Sequence, residues 1–328
     1  MFDSGERPFV SYVLATYNRV DDLEKAIDSI LEQNYQAFEV VVISNSTDET
    51  DELFADGGRF DDERIHYHHF EGRMGVPRAR NIGFEHASGD IIVTIDDDAV
   101  LASAGATEEI VSLFRKHQDI GALAFRHENY YTGEAELNGT PDPPEFHLSP
   151  SQQYRAPNFV GVGNAIRRST LEAAGPYPDD FVYGFEEMDL SLRIHDTGYD
   201  ILYVPSVTIR HKESPKARRP DVEIQERLVE NRIRIAVRNL PWRYVAFTTL
   251  IWSAYITLLT RDLSSASRVS RRLYEDRQVL LNERTVVHRR TIARVKSRRA
   301  MLYLWWYGPH PRRILGSSGD LRRLLWEA

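Results

Sequence analysis

The chain has 328 residues, 42% of them hydrophobic, with no cysteine and a formal net charge of -8. That length buries a large core and suits one sizeable domain with an appendage, while the missing cysteines exclude disulfides, thiol nucleophiles and thiolate metal sites. The charge is unevenly spread: from Ile201 onward 26 Lys and Arg face 11 Asp and Glu, a net of +15, which leaves residues 1–200 at -23 and implies two surfaces with different partners.

The first residues, M-F-D-S-G-E-R-P, lack the apolar core of a secretory leader, so the catalytic part is expected to stay in the cytosol. Phe9 to Thr16 is an apolar run of strand length, followed by Tyr17, Asn18 and Arg19. Asp21 or Asp22 is placed to cap a helix whose apolar residues Leu23, Ala26, Ile27, Ile30 and Leu31 recur at helical spacing. Phe38 to Ile43 is a second strand closed by the polar turn Ser44 to Asp48, with a short helix through Leu53 after it. Arg64 to Phe70, more polar, reads as a strand nearer an edge. In G-R-M-G-V-P-R-A-R-N-I-G, residues 72–83, Pro77 starts a helix that carries Arg78 and Arg80 in its first turns. Basic residues there oppose the helix dipole, and a nearby anion explains them.

Asp90 to Val100 reads D-I-I-V-T-I-D-D-D-A-V, a strand ending in Asp96, Asp97 and Asp98. Open α/β sheets place ligands at such carboxyl ends. Three adjacent carboxylates repel one another unless a cation neutralises them, and a hard divalent ion such as Mg²⁺ or Mn²⁺ suits oxygen ligands shared with phosphates. A helix through Ile110, Val111 and Phe114 and a strand from Ile120 to Phe125 follow. Alternation of strands and helices to this point predicts a parallel, doubly wound sheet.

Arg126 to Pro157 interrupts the pattern with Tyr130, Tyr131 and several prolines, a length of loop that is usually functional. Asn158 to Arg168 resumes the core and leads into a helix near Thr170 to Ala174. Then comes F-V-Y-G-F-E-E-M-D-L-S-L-R-I with Glu186, Glu187 and Asp189 at the head of a helix, and a last strand, Ile201 to Val204, before Ile209, Arg210 and His211.

Taken together, V-L-A-T-Y-N-R, E-V-V-V-I-S-N-S-T-D, G-V-P-R-A-R-N-I-G, T-I-D-D-D-A-V and G-F-E-E-M-D-L-S-L-R make the chain resemble the family 2 glycosyltransferases of the GT-A fold over about residues 9–211. The resemblance implies a mostly parallel, Rossmann-like α/β sheet flanked by helices. It also implies inverting transfer of a sugar from a nucleoside diphosphate donor to a hydroxyl. By the same resemblance Asp98 is the metal ligand, Asp96 holds ribose and helps the metal, and Asp97 fills the variable middle site of the D-x-D motif. His211 falls where many such enzymes place a metal-bound histidine. Glu187 occupies the position of the catalytic aspartate, one methylene longer, with Glu186 as the reserve base; Glu186, Asp189 and Asn164 are assigned to the acceptor side.

Thr16 and Tyr17 correspond to base and ribose contacts. Asn45 stands where relatives often carry the aspartate that reads uracil, so a uridine donor is expected with thymidine and guanosine donors open. Arg80 corresponds to the arginine that supports the diphosphate site, with Arg73 or Arg78 assisting. The chemistry of the residues agrees: a leaving diphosphate develops charge that a divalent cation stabilises, and an attacking alcohol needs a carboxylate within hydrogen-bond reach.

Residues 216–328 form a basic, helical extension to the catalytic part, residues 1–215. Arg227, Arg234 and Arg238 share one helix face, where they would meet phosphates. Tyr244 to Thr260 is a 17-residue uncharged segment, short and threonine-rich for a span. An in-plane helix or hairpin at the bilayer surface fits it better, with Trp242, Trp252 and Tyr255 at the interface. Met301 to Tyr307 adds an aromatic patch, and the intervening basic stretch suits anionic lipid. A dimerisation face and a nucleic-acid surface rank lower.

The expectation is therefore a metal-dependent, membrane-associated glycosyltransferase at the cytoplasmic face. It would extend a dolichyl- or polyprenyl-phosphate glycan, and it lacks the Q-x-x-R-W signature of processive synthases. Lysine supplies only five of 41 basic residues beside abundant carboxylates, a composition that suits a salt-adapted or high-GC organism; in a salt-adapted archaeon the reaction would be a step of surface-protein N-glycosylation. Transfer to exopolysaccharide or a cell-wall polymer is the neighbouring alternative. A sugar-1-phosphate nucleotidylyltransferase would need a glycine-rich loop that Ala15 to Arg19 does not offer. A non-catalytic nucleotide-sugar binding module would not need Glu187 beside Asp96 and Asp98.

Overall fold

The structure, a computed structural model, describes residues 7–72, 74–136, 141, 151–181, 184–212 and 222–297. Arg73 and the Met301 to Tyr307 patch lie outside the described residues. Among the described residues the chain builds a nine-stranded sheet from β1 (Val10–Thr16), β2 (Phe38–Ser44), β3 (Ile65–His69), β4 (Ile91–Ile95), β5 (Ala99–Leu101), β6 (Ile120–Asn129), β7 (Tyr154–Ala156), β8 (Gly163–Arg167) and β9 (Asp200–His211). Their spatial order is β3-β2-β1-β4-β8-β6-β9-β5, with β7 also on β9. Continuous apolar runs make β1, β2 and β4 buried on both faces. The polar β3 lies at the edge, as its composition predicts.

The parallel run β3-β2-β1-β4 ends at β4. β8 enters antiparallel between β4 and β6, while β6 and β9 are parallel to each other. The α/β architecture is as expected, but the sheet is evenly mixed rather than mostly parallel. An apolar run such as Asn158 to Arg168 buries equally well in either direction, so its composition carries no sign of the reversal.

The helices are α1 (Val20–Leu31), α2 (Val76–His86), α3 (Ala106–Lys116), α4 (Arg168–Ala174), α5 (Glu186–Thr197), α6 (Val222–Asn239), α7 (Trp242–Thr260), α8 (Leu263–Glu275), α9 (Arg277–Asn282) and α10 (Arg289–Ser297). α1 buries Leu23, Ala26, Ile27 and Ile30, the stripe its spacing predicts. Its N-cap is Arg19, however, and Asp21 and Asp22 sit one step inside, in the first turn. The helix expected near Leu53 is a single 3-10 segment, Glu49–Phe54, capped by Asp48.

The basic extension shares a core with the sheet's own helix α5. Phe181 and Leu192 pack with Ile235, Ala236, Leu240, Tyr244, Val287, Ile292 and Val295. Arg234 and Arg238, expected to meet phosphates, are instead buried among carboxylates. Arg234 pairs with Asp180, Glu230 and Asp276, and Arg238 with Asp180 and Glu283. Arg227 pairs with Glu223 and Glu230 at the rim of that network.

Residues 244–260 form one helix rather than a hairpin, and among the described residues no helix is long and apolar enough to cross a membrane. Trp252 is buried at 4% exposure against α6 and cannot sit at an interface, whereas Trp242 is exposed. Phe247, Leu250, Ala254 and Leu258 form an outward apolar stripe at helical spacing, with Arg243 and Arg261 exposed at its ends.

Candidate active site

The sheet's topology assembles the site. β4 is the last strand of the parallel run, and the chain emerging from it turns at Asp96 to Asp98 beside the ends of β1 and β2. Thr16, the last residue of β1, donates its hydroxyl hydrogen to Asp97 Oδ2 at 2.8 Å. The chain then forms β5, which pairs antiparallel with β9 so that Ala99 faces His211. That register sets the His211 ring beside Asp98, Nε2 to Oδ1 at 3.4 Å.

Asp96, Asp98 and His211 offer ligand atoms within 4.8 Å of one another. Two carboxylate oxygens and an imidazole nitrogen suit Mn²⁺ or Mg²⁺. Glu136 approaches the other ring nitrogen of His211 at 3.3 Å, the carboxylate–histidine arrangement that fixes the orientation of metal-binding imidazoles. Burial lowers the affinity of His211 for a proton, but hydrogen bonding to and charge on Asp98, with Asp96 and Glu136 behind, raise its pKa to about 9. A negatively charged nest of this kind favours a cation. Arg19 supplies one: its Nη1 lies 2.5 Å from Asp98 Oδ2 and 3.2 Å from Asp97 Oδ1. Desolvation raises the Asp98 pKa, yet its bonds to His211 and Arg19 hold it below the ordinary carboxylate range. Asp97, more deeply enclosed, is pushed up to about 7 by burial despite Arg19.

Arg80 connects these acids to the second group. It projects from α2, 3% exposed, and its Nη2 donates to Asp96 Oδ1 at 2.6 Å and to the Gly161 carbonyl at 3.0 Å. Its Nη1 lies 3.4 Å from Glu187 Oε1 and 3.5 Å from Glu186 Oε1. Both glutamates open α5. Burial and then the charge of Glu187 raise Glu186 to about 8, and burial also raises Glu187, against the pull of Arg80. A Cβ at position 161 would overlap Glu187 Oε1 and the Arg80 guanidinium, so any larger residue there would have to displace these two side chains. The Glu187 side chain is 16% exposed against 5% for Glu186, so Glu187 is the one at the mouth.

Thr16, Asp96, Asp97, Asp98, His211, Arg80, Glu186 and Glu187 thus converge. Tyr17 stands 55% exposed beside them. Asn45 lies at the end of β2, buried, with its amide donating to the Gly72 carbonyl at 2.9 Å. Two predicted acceptor-side residues do not join. Asp189 turns from the site, accepting from Arg193 Nε at 2.8 Å and Asn239 Nδ2 at 2.6 Å; two residues beyond Glu187, it lies nearly opposite that side chain around α5. Asn164 faces Thr94 inside the sheet at 0% exposure, with its amide on the Val160 carbonyl. Arg78 is exposed on α2 and makes no part of the cluster. Arg19 and Glu136 are the residues that sequence reasoning missed. The signal for Arg19 was its place directly after T-Y-N at the end of the first strand.

The glycosyl transferase family 2 model matches residues 11–175. Glycosyltransferase AglE of Haloferax volcanii is 25% identical over 215 residues, 63% of this chain and 68% of that protein. Glucosyl-dolichyl phosphate glucuronosyltransferase of the same organism is 31% identical over 117 residues, 35% of this chain and 36% of its own length. Among solved structures, the mannosyltransferase PcManGT from Pyrobaculum calidifontis, in complex with GDP-Man and Mn²⁺, superposes with a TM-score of 0.57 at 20% identity, covering 99% of this chain and 89% of that one. GalNAc-T7 with UDP, GalNAc and Mn²⁺ gives 0.60 at 18%, covering 79% of this chain and 51% of that one.

Proposed function

The chain belongs to glycosyl transferase family 2, and from that premise we propose that it transfers a sugar, with inversion, from a nucleoside diphosphate donor to a hydroxyl of a lipid-linked saccharide such as a dolichyl- or polyprenyl-phosphate glycan. Uridine diphosphate is the donor carrier we favour, with Tyr17 stacking on the base, Asn45 close by at the end of β2, and Thr16 and Asp97 lining the nucleotide side. Asp96, Asp98 and His211 would hold a divalent cation, which when bound neutralises the diphosphate as it leaves.

The observation that carries this reading is the reach of Arg80, whose guanidinium touches Asp96 at one end and both α5 glutamates at the other. One sugar therefore spans from the diphosphate side to the carboxylate side. Glu187 takes the proton of the acceptor hydroxyl, the oxygen attacks the anomeric carbon from the face opposite the diphosphate, and the carbon–oxygen bond to the diphosphate breaks. Displacement from the opposite face inverts the centre. Glu186, protonated up to about 8, keeps the buried pair from carrying two charges.

The outward stripe of α7 supports placement at the cytoplasmic face of a membrane, where a lipid-linked acceptor is found. Similarity to two Haloferax volcanii glycosyltransferases, one of them named a glucosyl-dolichyl phosphate glucuronosyltransferase, supports that acceptor class, and a step of archaeal surface-protein N-glycosylation is the role we propose with it. The test is a panel of UDP and GDP sugars with Mn²⁺, scored first by thermal shift and then by release of nucleoside diphosphate. Glu187→Gln should lower turnover by about 100- to 10,000-fold and leave donor binding intact. If no nucleotide sugar stabilises the protein, or if E187Q turns over normally, the assignment fails.

A further inference from the structure

The helix that carries Glu186 and Glu187 starts abnormally. Its N-cap, Phe185, has φ of 70° and follows Gly184 at 82°, two successive left-handed residues, and no side chain caps the helix. A non-glycine residue holds that conformation only where its surroundings impose it. The imposing groups come from the basic extension. Asn231 on α6 donates its amide hydrogen to the Gly184 carbonyl at 2.8 Å. Its neighbour Arg232 lays its guanidinium over the Phe185 ring at 3.8 Å and, on its other side, over the Trp252 ring of α7 at 3.9 Å. Arg232 Nη1 is tied to the Leu228 carbonyl at 3.1 Å, which fixes the stack along α6. Leu228 itself closes on Gly184, where an added Cβ would fall 2.5 Å from its Cδ2.

We infer that Arg232, with Asn231, is a positioning residue for the transfer reaction: by gripping the 184–185 turn between α6 and α7 it sets where the head of α5, and so Glu187, stands relative to the sugar. This rests on the reading of Glu187 as the base. The donor-side groups named above sit on the ends of β1, β2, β4 and β9 and on α2, none of which Arg232 touches. Loosening the turn therefore acts first on the α5 glutamates, and reaches the donor side only through the long 3.4 and 3.5 Å contacts of Arg80 Nη1. It also gives the extension a catalytic duty in addition to any lipid contact, since Trp252 on the buried side of α7 is the outer plate of the stack.

The experiment uses the full chain with Mn²⁺ and, from UDP-glucose, UDP-GlcNAc and GDP-mannose, the donor that gives the largest thermal shift, measuring hydrolysis of that donor. Arg232→Met should lower kcat on the order of 10- to 100-fold, the scale of a base displaced by about 1 Å, with the Kd of UDP plus Mn²⁺ within twofold of wild type. Arg232→Lys, which restores the charge over both rings, should recover part of kcat. Amide exchange of residues 184–189 should speed up in R232M while that of β4 does not. Arg227→Ala, at the rim of the same helix, should leave kcat unchanged. A folded R232M with normal kcat, or one whose kcat and UDP affinity fall together, overturns the inference. Normal turnover in E187Q instead overturns the base assignment, and exchange at 184–189 still decides whether Arg232 holds the turn.

Discussion

Replacing Arg80 by methionine removes the one cation that, among the described residues, contacts Asp96, Glu186 and Glu187 together, and the size of the effect follows from its setting. The Arg80 side chain is 4% exposed and touches Asp96, Glu186 and Glu187, and those glutamate side chains are 5% and 16% exposed. Breaking a buried ion pair from one side costs about 3–5 kcal/mol, because the partner charge stays buried and uncompensated. For a chain of this size that lowers the Tm by on the order of 10 °C. The loss also depends on pH, with a definite sign. Glu186 has a folded pKa of about 8, above its ordinary value of 4.5, so between those values the native state holds a proton that the unfolded chain releases. Stability accordingly falls as pH rises through that window. Without Arg80 the folded pKa values of both glutamates climb further, and the penalty at pH 8.5 should exceed that at pH 6 by at least about 1 kcal/mol. Urea unfolding of wild type and Arg80→Met at the two pH values, followed by circular dichroism, measures both quantities. A total cost below about 1 kcal/mol, or equal costs at the two pH values, would refute the claim that Arg80 neutralises a buried acidic cluster.

Asp98→Asn should abolish Mn²⁺ binding by calorimetry in the absence of nucleotide, whereas Arg19→Met should tighten it about three- to tenfold, or roughly 0.6–1.4 kcal/mol, because the guanidinium 2.5 Å from Asp98 Oδ2 occupies the same nest; equal affinities in R19M and wild type would show that Arg19 does not compete. Asp180→Asn removes a carboxylate shared by Arg234 and Arg238. It should weaken amide protection across α6 by about 1–3 kcal/mol, and full protection there would mean that the pairing is incidental. Leu250→Glu, in the exposed stripe of α7, should reduce flotation with vesicles containing anionic lipid while hydrolysis of soluble donor continues, and undiminished flotation would count against a lipid contact through α7.

Residues that act close in sequence were legible, and those brought together by pairing were not. The triple aspartate announces itself because an apolar, β-branched run of strand length ends in it, and Arg80 does so because a cation in the first turns of a helix opposes the dipole. Glu136 carried no comparable sign. It reaches His211 only because β6 and β9 run parallel with Asn129 opposite His211, and because Glu128 then bridges back to Ala135. Strands of three residues such as β5 and β7 are too short for periodicity to reveal, yet it is β5 that sets His211 beside Asp98. Asp189 shows the converse error. An acidic residue three positions beyond Glu186 looks like part of the same cluster, but its carboxylate belongs to the joint with Asn239 and Arg193.

The basic rear half has a different meaning once folded. Its surplus of arginine suggested a face for phosphates, but Arg234 and Arg238 turn inward onto Glu230, Asp180, Asp276 and Glu283, while Arg272 and the exposed Arg268 reach from α8 to the buried Glu226 and Glu230. Glu226 and Glu230 are 2% and 1% exposed, so these are paired charges in the joints between helices. Such pairs add little net stability over an apolar packing of the same volume, but they penalise any other register strongly. That is what a helix pair needs if it must hold a strained turn at the head of α5 in one position. What faces outward is a separate set: Phe247, Leu250 and Leu258 with Arg243 and Arg261 on α7, and Arg289 and Arg290 at the start of α10. We expect the two sets of arginines to serve different ends, those paired in the helix joints the position of the α5 head, and those on the outward face, with the partners they have, contact with anionic head groups. Mutations in the first set should change turnover at constant vesicle binding, and mutations in the second should do the reverse.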